Sequence, residues 1–61
     1  MIKLEFKTSI LQEKQGKFWV TEMFQDDKLI KQTYFKTEAA ATEWINQQKY
    51  PFENNENFQI V

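Results

Sequence analysis

The sequence predicts an α+β domain of two layers: an antiparallel sheet of three to four strands with one helix packed on one face, in the order β-β-β-α-β. Three observations predict it. Residues 2–10 follow a period-2 pattern, apolar at 2, 4, 6 and 10 with polar residues between. Two runs rich in β-branched and aromatic residues, Lys17–Phe24 and Leu29–Phe35, flank an Asp-Asp tip. A helix-forming stretch then begins at Thr37. Period-2 alternation followed by helical spacing is the signature of a sheet covered by a helix.

In the first strand, Ile2, Leu4, Phe6, Thr8 and Ile10 alternate with Lys3, Glu5, Lys7 and Ser9. One face of this strand is therefore buried. Gln12–Gly16 reads as a five-residue loop, closed by Gly16 at positive φ. The second and third strands form a hairpin with Asp26-Asp27 as a two-residue turn, since Asp tolerates left-handed backbone better than most residues. This register pairs Phe24 with Leu29, Glu22 with Lys31, Val20 with Thr33 and Phe18 with Phe35. It pairs Met23 with Ile30, Thr21 with Gln32 and Trp19 with Tyr34 on the other face. A five-residue first loop pairs Leu11 with Lys17, placing Ile10 opposite Phe18 and Leu4 opposite Phe24. The parities of the two hairpins then agree.

Thr37 is the expected N-cap, Glu38 suits the helix dipole, and Ala39-Ala40-Ala41 are strong helix formers. Thr37, Ala41, Trp44, Ile45 and Gln48 share one stripe, and the helix should stop before Pro51. Glu53–Asn57 is a polar turn, and Phe58–Val61 a short fourth strand or ordered tail. The expected core is Ile2, Leu4, Phe6, Phe18, Val20, Phe24, Leu29, Phe35, Ala41, Trp44 and Ile45, with Phe52, Phe58 and Ile60 closing one end.

Residues 1–61 make a single small domain. A chain of this length buries only about 60% of the surface its unfolded form exposes, so its core must be dense in large side chains. Six Phe, two Trp and two Tyr meet that need. With no Cys and no His, disulfides, the usual zinc sites and any Ser-His or Cys-His catalytic pair are excluded. Ser9 is the only serine, and Asp26-Asp27 is a turn rather than a catalytic pair. No Gly-rich phosphate loop is present, and Glu53 and Glu56 lack the spacing of a calcium loop. The reading is therefore no enzyme, no cofactor and no metal. Charges at every second position near the N-terminus leave no signal-peptide core, and no run approaches the ~18 apolar residues of a membrane span. A cytoplasmic protein is expected.

Net charge is −1, with all eight cations lysine. The cations cluster early: residues 1–36 hold seven Lys against five acids, and residues 37–61 hold one against four. The absence of Arg weighs against sequence-specific base reading. One helix covers only one side of the sheet. By the register above, the other side displays Lys3, Glu5, Lys7, Ser9, Lys17, Trp19, Thr21, Met23, Ile30, Gln32, Tyr34 and Lys36. Three roles fit this face. Its aromatics could simply stiffen the hairpin, anchor a protein partner, or stack bases while the lysines neutralise phosphates.

The stretch Gly16-Lys17-Phe18-Trp19-Val20, then Thr33–Ala40, then Trp44, resembles the pattern of the AP2-like, arm-type DNA-binding domains of phage integrases. In that family the exposed sheet face contacts DNA, which implies Lys17, Trp19, Thr21, Gln32 and Tyr34 as contacts here. The same outline bears a looser likeness to small phage inhibitors of host RNA polymerase. The expected function is a non-enzymatic small binding protein, a phage or mobile-element accessory factor or inhibitor docking on a protein partner. Its contact set would be Lys3, Lys7, Lys17, Trp19, Thr21, Met23, Ile30, Gln32, Tyr34 and Lys36. The alternative is a DNA- or RNA-binding module using the same face. An edge strand also admits a homodimer.

Overall fold

The computed structural model describes residues 1–61 as four strands, one helix and a single 3-10 turn. Strands β1 (Ile2–Glu13), β2 (Gly16–Gln25) and β3 (Lys28–Phe35) precede helix α1 (Glu38–Lys49), the turn Tyr50–Phe52 and strand β4 (Phe58–Ile60). The sheet order is β3-β2-β1-β4. The first three strands pair antiparallel, whereas β4 lies parallel to β1, with Ile2 beside Phe58 and Leu4 beside Ile60. The sheet is therefore mixed rather than wholly antiparallel. The long β1–β2 hairpin gives the molecule a lath-like shape, 43 × 20 × 13 Å.

Both hairpins depart by one residue from the register expected from sequence. The first closes through Lys14-Gln15 alone, with Gly16 at φ +137° directly after it. Glu13 pairs with Gly16, and Ile10 faces Trp19 instead of Phe18. The second hairpin does turn at Asp26-Asp27, both at positive φ (48° and 70°), as a type I′ geometry requires. Phe24 pairs with Leu29 as expected. A bulge then leaves Ile30 outside the ladder, so Met23 faces Lys31, Val20 faces Tyr34 and Trp19 faces Phe35.

These shifts exchange the faces of the central strand. Directly opposed residues share a face, so Ile2, Leu4, Phe6, Thr8 and Ile10 group with Trp19, Thr21 and Met23, and with Thr33 and Phe35. The helix packs on this side. The Phe35 and Trp44 rings lie 6.3 Å apart. Lys49 stacks over Phe6, and the Lys31 ammonium donates to Gln48 at 2.9 Å. Leu4 and Thr21 are wholly buried, and Ala41 and Met23 nearly so. The Thr21 hydroxyl donates to the Thr33 carbonyl at 3.3 Å, so its burial leaves no unpaired donor. The Phe52 ring packs tilted against Phe58 of β4, with centroids 4.6 Å apart.

The helix itself follows the sequence. Thr37 is extended, and its hydroxyl accepts the Ala40 N–H at 3.2 Å. The α-helix ends at Lys49 and Pro51 falls in the 3-10 turn, where its missing N–H costs little.

Candidate protein-docking face

The side of the sheet away from the helix is built by three strands. From β1 come Lys3, Glu5, Lys7, Ser9 and Leu11. From β2 come Phe18, Val20, Glu22 and Phe24, and from β3 Leu29, Gln32 and Tyr34. Val20 sits in the middle, between Ser9 and Tyr34 across the strands, and is buried by its neighbours although no helix covers it. Phe18 and Phe24 are half-buried, while Leu11, Leu29 and Tyr34 are exposed. Together they form an apolar strip along the central strand with an aromatic hydroxyl at its margin.

The polar groups on this face hold one another. Gln32 donates to the Glu22 carboxylate at 3.2 Å. The Lys7 ammonium lies 4.9 Å from the Phe24 ring centroid, and so covers part of the strip. Lys3 is bound at the turn: its ammonium meets Asp27 at 3.0 Å. That hydrogen bond, and then the charge of Asp27, raise the Lys3 pKa above the ordinary lysine value. The face thus carries two lysines, Lys3 and Lys7, and two glutamates, Glu5 and Glu22, with no net sign. No pocket opens on the surface.

The residues expected on the exposed face divide three ways. Lys3, Lys7, Gln32 and Tyr34 are on it. Trp19, Thr21 and Met23 are instead on the helix side, and Thr21 and Met23 are buried there, so the supposed Trp19/Tyr34 pair straddles the sheet. Lys17 also falls on the helix side, exposed near the end of the hairpin with its ammonium 5.3 Å from the Trp19 centroid. Ile30 stands in the bulge and Lys36 just beyond β3, both exposed. Glu22 and Lys31, expected opposite each other, are not paired, because the bulge moves Gln32 opposite Glu22. Conversely, Phe18, Val20, Phe24 and Leu29, expected in the core, belong to the open face. The signal for them was the presence in β2 of apolar residues at both parities, which means that neither side of that strand is polar.

Comparison with protein-family models, with curated proteins and with solved structures returns no match.

Proposed function

We propose that this chain is a non-enzymatic docking module whose open sheet face takes a protein partner, as an accessory or inhibitory factor. The observation that carries the reading is the uncovered strip Phe18–Val20–Phe24, bordered by Leu11, Leu29 and Tyr34. Half-buried aromatics within a balanced set of charges are the composition of a protein interface: apolar at the centre and polar at the rim. A nucleic-acid face needs a surplus of cations to displace counterions. Here Glu5 and Glu22 offset Lys3 and Lys7.

The test is affinity capture from the native host with the wild-type chain and with Leu29→Glu/Tyr34→Glu. Both substituted side chains are about half exposed (49% and 57%), so the fold should survive. A protein partner held by the wild type and released by the double variant is the expected result. Anisotropy titrations with labelled duplex and single-stranded DNA and RNA at low salt should show no binding. Salt-sensitive nucleic-acid binding lost in the double variant would overturn the reading in favour of a nucleic-acid module.

A further inference from the structure

The sheet has two long edges, and they differ. The β3 edge carries the bulge at Met23/Phe24 and the exposed lysines Lys28 and Lys31. Bulges and edge lysines are devices that keep sheet edges from pairing. The β1 edge has no bulge. Its ladder with β2 runs from Leu4 to Glu13 without a shift, and β4 covers it only at Ile2–Leu4. From Lys7 through Glu13 every residue is exposed.

Hydrogen bonds at the start of β1 fix which backbone groups face this edge. Ile2 N–H donates to the Asn57 carbonyl at 2.8 Å, and Val61 N–H donates to the Leu4 carbonyl at 2.9 Å. Lys3 bonds on the opposite side, its carbonyl accepting the Asp26 N–H at 2.9 Å. Groups alternate side along a strand. Thr8, Ile10 and Gln12 therefore turn their N–H and C=O toward an edge where no strand receives them.

We infer that this edge pairs antiparallel with the same edge of a second copy, about a two-fold axis at Ile10. Two features select that register. The first is space: Val61 already bonds Leu4, so a partner strand must fit beyond that point. Centring on Ile10 lays Lys7–Glu13 against its own reverse and uses the whole free stretch. Centring on Thr8 or Ser9 would drive the partner strand into the end of β4. The second is charge. The Ile10-centred register sets Lys7 opposite Glu13 twice, Thr8 opposite Gln12 and Ile10 opposite itself. The Ser9-centred register sets Glu5 opposite Glu13, like against like. The helix lies over β2 and β3 and leaves Ile10 58% exposed, so the edge is sterically open. The two sheets become one, and their open faces become continuous.

A single strand pair is smaller than a standard interface, so the dimer is weak and concentration-dependent. Sedimentation equilibrium from about 10 μM to about 1 mM should show the mass rising from one chain toward two. Over the same range the amides of Thr8, Ile10 and Gln12 should become slow to exchange, while Ser9 and Leu11, already bonded to β2, stay unchanged. Ile10→Pro removes an N–H that the monomer does not use. It should give a folded monomer at every concentration. Glu13→Lys should weaken association roughly tenfold, and Lys7→Glu/Glu13→Lys should restore it. The charge swap decides the question if Ile10→Pro fails to fold. A wild-type monomer throughout, or a dimer indifferent to the charge reversal, would overturn the proposal.

Discussion

Lys3 and Asp26, 23 positions apart in the chain, are joined by two hydrogen bonds, one to backbone and one to side chain. The Asp26 N–H donates to the Lys3 carbonyl at 2.9 Å, and the Lys3 N–H donates to the Asp26 carboxylate at 3.0 Å. The Asp26 side chain thus supplies the acceptor that its own backbone carbonyl would supply if β2 continued through it. The tip of the second hairpin is fastened to the start of the first strand, which ties the local turn to the three-stranded sheet.

Asp26 therefore has two duties: it adopts φ +48° and it accepts a hydrogen bond. Asp26→Ala removes the acceptor and places a residue poorly suited to left-handed backbone, a loss of about 1–3 kcal/mol. Asp27, at φ +70°, has a weaker claim on its position. Asp27→Gly creates the Asp-Gly pair that type I′ turns favour and loses only an exposed ion pair, so a gain of up to about 1 kcal/mol is expected. Urea denaturation of the two variants measures both.

The Lys3 ammonium titrates above the ordinary lysine value because the Asp27 carboxylate accepts its hydrogen bond and attracts its charge. A folded-state pKa raised above the unfolded one stabilises the fold below the ordinary lysine pKa. That contribution is lost as pH rises through the folded value. The effect therefore belongs to alkaline titration. NMR of the Lys3 side chain should show a high midpoint, and Asp27→Asn should return it toward the ordinary value.

The register places Met23 and Tyr34 on opposite sides of the sheet, so truncating them should have opposite consequences. Met23 is 3% exposed beneath the helix, so Met23→Ala should cost about 2–5 kcal/mol. Tyr34 is 57% exposed on the open face, and Tyr34→Ala should stay within about 1 kcal/mol while weakening partner binding. A large loss of stability at Tyr34 with none at Met23 would reverse the assignment of faces.

Thr37 closes the start of the helix through the Ala40 N–H. Thr37→Ala should cost about 1 kcal/mol, and Thr37→Ser should recover most of it, measured by thermal unfolding.

The helix, its cap, the Asp-Asp turn and the helix-facing side of β1 as far as Phe6 were legible in the sequence, whereas Thr8 and Ile10, of the same parity, are exposed. Each rests on local chemistry: Ala propensity, a hydroxyl at Thr37, left-handed tolerance at Asp, and apolar residues at every second position from Ile2 to Phe6. The face of β2 was not. Phe18, Val20 and Phe24 compete with Trp19 and Met23, so either parity offers an apolar face and the hydrophobic pattern leaves the register undecided. The decision fell to a two-residue turn before Gly16 and a bulge at Ile30. Neither leaves a distinct mark in composition. The direction of β4 was illegible for a similar reason, since three residues alternate identically in parallel and antiparallel pairs.

The parallel seat of β4 beside Ile2–Leu4 joins the two ends of the chain. Every other strand pair closes a short turn, whereas this one closes a separation of more than fifty residues, so loop-closure entropy predicts that it forms last. In kinetic terms β4 is a latch. Ile60→Ala should accelerate unfolding while leaving the refolding rate almost unchanged. The lifetime of the folded state would then be set by the seat of β4 rather than by the two hairpins.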